Sequence, residues 1–144
     1  MERLLKALKI AFASEFSFYL KAHYFHWNVE GPNFKQLHDL FGDIYEEVYS
    51  SIDTFAEEIR SAGGYTPGSL ERFSMLTQID DETNVPPAEQ MISDLKSDSD
   101  KMAEIFRMCF QLSEQEGLYG LSDFLAGRQD AHKKHSWMLR ASLK

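Results

Sequence analysis

Residues 26–59 read HWNVEGPNFKQLHDLFGDIYEEVYSSIDTFAEEI, two helical patterns separated by the break Glu30-Gly31-Pro32-Asn33. Upstream of the break, Leu4, Leu5, Leu8, Phe12, Phe16, Tyr19, Leu20 and Tyr24 recur every three or four residues. That spacing predicts a first helix from about Glu2 to the region of Asn28. Downstream, Asn33 stands where an N-cap belongs, and Leu37, Phe41, Ile44, Tyr45, Val48, Ile52, Phe55, Ala56 and Ile59 keep the period as far as the stop at Gly63-Gly64. The second helix is then about 28 residues long, roughly 42 Å.

From Gly63 to Pro87 runs a connection rich in Gly, Pro, Thr and Asp, too long for a tight turn between neighbouring helices. Within it, GSLERFSML reads as one short helix with Ser69 as its cap. Pro86-Pro87 starts a third long helix carrying Met91, Ile92, Leu95, Met102, Ile105, Phe106, Cys109 and Phe110. EQEGLYG breaks it, and Leu121 to Leu143 supplies a fourth. No strand pattern competes. The fold class is all-α: a ferritin-like four-helix bundle with a short helix in the long crossover between helices two and three.

The chain has 144 residues, which suits one domain, residues 1–144, with a core that needs no disulfide or metal staple. Hydrophobic residues make up 43 % and charged residues 26 %, the balance of a globular protein and not of a disordered one. Fifteen Lys and Arg stand against 23 Asp and Glu, a formal charge of −8, so the surface as a whole repels phosphate backbones. Cys109 is the single cysteine; no intrachain disulfide can form, a reducing, cytoplasmic setting is expected, and its apolar neighbours predict a buried, inert thiol. The N-terminal stretch carries Glu2, Lys6, Lys9 and Glu15 among its apolar residues, which reads as an amphipathic helix and not a signal peptide. No run reaches about 18 uninterrupted apolar residues, so no membrane partner is expected.

The candidate functional residues are His26, His38, Asp53 and Glu57. On a helix advancing about 100° per residue, Asp53 lies about 60° and Glu57 about 100° from His38, so the three share a face. Asp53 and Glu57 are also four residues apart, the spacing at which two carboxylates converge on one cation, and carboxylates with imidazoles suit Fe²⁺, Mn²⁺ or Zn²⁺. Solvated acids and hydrogen-bonded helix-end histidines would account for the same residues. Fifteen residues of helix separate His38 from Asp53, about 22 Å, so one chain cannot close such a site. Two copies of the second helix packed antiparallel about a two-fold axis would close it twice, with His26 joining His38 in one half.

With these residues in view, the sequence resembles the Dps family, the DNA-binding proteins from starved cells, also called mini-ferritins. KAHYFHWNVEGPNFKQLH is similar to the first half of the family's hallmark and DTFAEEIRSAGG to the second; YTPGSLERFSML resembles its middle segment and HSWMLRASL its closing helix. The resemblance implies a dodecameric shell with iron-oxidising centres across its two-fold interfaces, where Fe(II) is oxidised by hydrogen peroxide or oxygen before the ferric product mineralises inside. Carried over by position, His26 and His38 come from one subunit, Asp53 and Glu57 from its partner, and Trp27 stands beside the centre. Trp27 would donate an electron to a stray oxidant, or else serve as a core aromatic near the helix end.

The family's usual carboxylate four residues after His38 is replaced by Gly42, which puts the second iron position in doubt and leaves Glu46 or water to complete it. A glycine inside a helix costs about 1 kcal/mol relative to Ala, so close packing at position 42, such as across the two-fold axis, is expected to offset it. Asp123, with Glu114 or Glu116, resembles the family's acidic three-fold pore or else is ordinary solvated acid. His23 takes the family's non-ligand position, and His132 and His135 read as a solvated face of the last helix. Twelve copies each of charge −8, with no Lys-rich tail before the first helix, argue against DNA binding. The alternative, a DNA-organising shell protein with weak iron chemistry, is opposed by that charge; a third reading is a bundle that retains only structure.

Overall fold

The structure, a computed structural model, describes residues 1–144. Four long helices and one short one follow in order: α1 (Glu2–Asn28), α2 (Phe34–Ser61), α3 (Leu70–Leu76), α4 (Ala88–Gln115) and α5 (Tyr119–Ser142). The long helices form the bundle. Helix α1 packs against α2 and α4, α5 against α4 and α2, and α3 lies on α1 within the crossover. None of the helices is long and apolar enough to cross a membrane.

The element boundaries follow local chemistry. Gly31 takes φ +122° and turns the chain between α1 and α2 within five residues. Asn33 precedes α2 as expected, but its side chain makes no capping bond. Ser69 does cap α3, accepting a hydrogen bond from the Arg72 amide at 3.2 Å. Gly63, at φ +102°, follows the end of α2. Helix α4 starts at Ala88, directly after Pro87, and α5 starts at Tyr119, two residues before the expected Leu121.

The buried positions follow a finer rule than spacing of threes and fours. On α1 they include Leu4, Leu8, Ala11, Glu15, Phe18, Ala22 and Phe25, alternating steps of four and three, as in packed antiparallel bundles. The expected stripe through Phe16, Tyr19, Leu20 and Tyr24 was rotated from this seam: Leu20 is 43 % exposed, while Phe18, Ala22 and Phe25 are fully buried. Of its aromatic members, Phe16 stacks on Phe73 of α3 at 4.7 Å, Tyr24 reaches Asn84 in the crossover, and Tyr19 meets Tyr45 and Tyr49 of α2. At the core's middle, Phe55 meets Phe12, Phe106 and Phe124 with ring centroids 5.4, 5.7 and 5.4 Å apart. Cys109 is buried there, and burial pushes its thiol up to about 12.

Polar contacts pin the crossover along the bundle. The Gln78 amide donates to Ser14 Oγ at 2.9 Å, and Lys21 donates to the Asp80 carbonyl while pairing with Asp98 at 2.9 Å. Tyr24 Oη donates to the Asn84 carbonyl at 2.6 Å. These bonds give the segment between α3 and α4 a fixed course without secondary structure of its own.

Candidate metal centre

His26 lies in the last turn of α1 and His38 in the second turn of α2, so the short Gly31 turn brings them face to face. Their rings stack with centroids 3.8 Å apart and planes 18° from parallel. Each Nδ1–H donates to the other residue's main-chain carbonyl, both at 2.7 Å. A carbonyl only accepts, so both Nδ1 atoms carry the proton and both Nε2 atoms in the neutral rings keep a free lone pair. Fixing the far nitrogen in this way orients an imidazole for metal binding.

Gly42 belongs to this arrangement. A Cβ at position 42 would lie 3.1 Å from Cε1 and Nδ1 of His26, closer than ordinary van der Waals contact. The close packing expected to offset this helical glycine is therefore already present within the chain, against the His26 ring. Asp43 and Glu46 beside it are exposed.

Around the pair runs an aromatic strip. His23 stacks on Tyr45 at 3.7 Å and 8°, and its Nδ1 shares a hydrogen bond with Tyr19 Oη at 3.0 Å. Burial, and then the neighbouring His26, lower the affinity of His23 for a proton, against the opposing pull of Glu46. Trp27 sits 4.1 Å from the His23 ring and is 56 % exposed, so it is not a core aromatic of this chain.

Asp53 and Glu57 are exposed on one face of α2, about 22 Å and about 28 Å along the axis from His38. The structure thus brings His26 to His38 and leaves Asp53 with Glu57 as a separate pair. No three His, Cys, Asp or Glu side chains in the chain converge as a ready metal cluster.

His132 and His135 are a correction: they are 0 % and 6 % exposed, not a solvated face. On α5 the four-three seam runs Leu121, Leu125, Arg128, His132, His135, Leu139, which turns both rings into the bundle. His132 Nε2–H donates to Glu15 Oε1 at 2.6 Å, and His135 Nε2–H donates to Glu47 Oε1 at 2.8 Å. Arg128 lies between the carboxylates, donating from Nη2 to Glu15 Oε2 at 3.0 Å and to Glu47 Oε1 at 3.1 Å. Burial pushes both carboxyls upward, but their His and Arg partners outweigh it, lowering Glu15 and holding Glu47 down to about 2. Glu15, Glu47 and Arg128 belong to no spacing motif of ligand residues; the four-three seam is the sequence signal that marks Glu15 and Arg128 as buried.

Comparison with known proteins places the chain. The ferritin-like domain model matches residues 5–144. A DNA protection during starvation protein of Brevibacillus brevis is 33 % identical, covering 87 % of this chain and 84 % of the relative. The chain belongs to the Dps family. The crystal structure of a Dps protein from Bacillus brevis superposes on this Dps chain with a TM-score of 0.94 at 30 % identity, covering 99 % of this chain and 96 % of that one. The Dps of Vibrio cholerae O1, described as a member of a broad superfamily of ferritin-like diiron-carboxylate proteins, gives a TM-score of 0.94 at 26 % identity, covering 99 % and 90 %. The all-α bundle with a helix in its crossover is the Dps fold.

Proposed function

We propose that this Dps chain, acting as one ferritin-like domain in the cytoplasm, oxidises Fe(II) at sites shared between two subunits and stores the ferric product inside a dodecameric shell. The observation that carries this reading is the His26–His38 clamp. It supplies two oriented Nε2 lone pairs at one end of the α1–α2 hairpin, while Asp53 and Glu57 supply carboxylates near the other end of α2. Antiparallel pairing of two copies joins the unlike ends into two equivalent sites. Membership of a family that includes a diiron-carboxylate relative supports iron as the substrate.

In this reading the two imidazoles and two carboxylates hold Fe(II) with open positions for the oxidant. Each iron loses one electron, and one hydrogen peroxide accepts two, leaving two hydroxides and no hydroxyl radical. Trp27, exposed beside the clamp, stands ready to reduce a stray oxidant by one electron. Gly42 supplies no carboxylate, and the space its side chain would enter is taken by His26. One iron position is therefore well furnished and the second is weak.

Peroxide-dependent Fe(II) oxidation followed by absorbance tests the site. His38→Ala and Asp53→Ala are each expected to lower the rate by at least about tenfold. Rates equal to the parent protein in both variants would overturn it. Titration with Zn²⁺, compared between the parent protein and Gly42→Asp, tests the second position: one tight ion per site in the parent and a changed stoichiometry or affinity in the variant. Equal values in both would remove Gly42 from the account.

The relatives' name, DNA protection during starvation, motivates the DNA-organising alternative. The net charge of −8 per chain opposes it.

A further inference from the structure

Between the histidine clamp and the carboxylate pair, α2 carries a ladder of phenol rings. With His38 as the reference angle, Tyr45 falls about 20° to one side, Tyr49 about 20° to the other and Asp53 about 60° away, so both tyrosines stand on the stripe that links the two half-sites. Tyr19 of α1 lies against both. Ring centroids run in an unbroken series, His26 to Tyr45 at 5.2 Å, Tyr45 to Tyr19 at 6.1 Å and Tyr19 to Tyr49 at 4.9 Å, all within the range of aromatic contact. Asp53 follows Tyr49 by four residues, one turn further along the same helix.

The choice of rings is uneven across the molecule. The fully buried aromatic side chains are phenylalanines, among them Phe18, Phe25, Phe41, Phe55 and Phe106. Tyr and Trp give up one electron and take it back far more readily than Phe does. The chain has six Tyr and two Trp, and four of these eight, Tyr19, Tyr45, Tyr49 and Trp27, gather on this one strip.

We infer that Tyr45, Tyr19 and Tyr49 carry an electron between the two iron sites of a dimer, so that irons held by ligand sets about 22 Å apart along α2 act together as one two-electron reductant. The inference rests on the shared-site reading proposed above. Each site there holds one iron well, and that iron supplies one electron, whereas cleavage of the peroxide O–O bond to two hydroxides takes two. The first comes from the iron at the clamp and the second from the ring of Tyr45. Tyr19 refills Tyr45, Tyr49 refills Tyr19, and the iron at Asp53 and Glu57 refills Tyr49, so both irons end as Fe(III). Each phenol proton leaves and returns with its electron, at Tyr19 along the hydrogen bond shared with His23 and at Tyr45 and Tyr49 to water.

The test compares full-length parent protein with Tyr49→Phe alone and with Tyr19→Phe, Tyr45→Phe and Tyr49→Phe combined. Tyr49 is 57 % exposed, so folding is not at stake in the single variant. With Fe(II) at one per subunit and limiting peroxide, the parent is expected to form two Fe(III) per peroxide without a hydroxyl-radical adduct on a spin trap. Both variants are expected to form half as much in the fast phase and to yield the adduct, with Zn²⁺ affinity unchanged. With Fe(II) well below one per dimer the ladder cannot be refilled, and freeze-quench electron paramagnetic resonance is expected to show a tyrosyl radical in the parent that disappears at full loading and is absent from the triple variant. Parent-like stoichiometry without adduct in the triple variant, or the same radical signal in it, overturns the ladder and leaves the shared site standing. A parent that oxidises Fe(II) no faster than His38→Ala overturns the shared site and the ladder with it.

Discussion

Glu15 is the most constrained charge in the molecule. Its carboxylate accepts from His132 and twice from Arg128, with no exposure to solvent. Replacing one member of such a group leaves the others buried and unpaired, so Glu15→Ala is expected to cost about 3–5 kcal/mol, read from urea unfolding. Glu47 adds a dependence on acidity. Its folded pKa of about 2 lies below the ordinary 4.5, so the folded state binds this proton more weakly than the unfolded chain does. The stabilisation is complete above about pH 4.5 and is lost as the pH falls towards 2. Partial exposure screens Glu47, so its share is smaller than that of the fully buried Glu15, which is shifted the same way. Glu47→Gln is expected to flatten the slope of stability against pH in that window, measured by unfolding at pH about 5, 4 and 3. An unchanged slope would remove Glu47 from the titration.

The α1–α2 turn sets the geometry of the histidine clamp, and Gly31 sets the turn. At φ +122° a Cβ is strained although it meets nothing within 4 Å. Gly31→Ala should therefore destabilise by about 1–3 kcal/mol through the backbone alone. If the clamp depends on this turn, Zn²⁺ affinity should fall with it; unchanged affinity alongside lowered stability would show that α1 and α2 hold the rings without the turn. The helices were largely legible in the sequence because Gly31, Ser69, Pro87 and Gly117 punctuate the apolar runs. What escaped was the face each helix buries. Spacing of threes and fours admits two neighbouring stripes on α1, and bulky Phe16, Tyr19 and Leu20 outweighed the small Ala11 and Ala22 that mark the seam. For the same reason a Glu, an Arg and two His on the α1 and α5 seams were read as solvent-facing or left unread. The candidate ligands His26, His38, Asp53 and Glu57 were found from their types and spacing. The carbonyl bonds that orient the two rings required α1 and α2 to be seen together, since neither partner is local.

The whole chain presents apolar residues that a lone subunit leaves open, among them Tyr65 at 78 %, Leu70 at 75 % and Met75 at 69 % exposure, on α3 and the segment before it. They are consistent with burial between copies, and the proposed shell is expected to run in sedimentation at about twelve times the subunit mass of 16.6 kDa; a monomer at micromolar concentration would contradict it. A shell of that charge is expected to leave duplex DNA unretarded in a gel at physiological salt, and a salt-sensitive shift would reverse that view. The buried thiol of Cys109 has a bearing on durability. At a pKa of about 12, on the order of one thiol in 10⁵ is ionised at neutral pH, and the thiolate is the form that peroxide attacks. If the chain forms the proposed shell and meets peroxide there, its only sulfhydryl is held in the form that reacts slowly with the oxidant. Oxidative wear in such a shell is then expected first at exposed methionines such as Met75 and Met108 and not at Cys109.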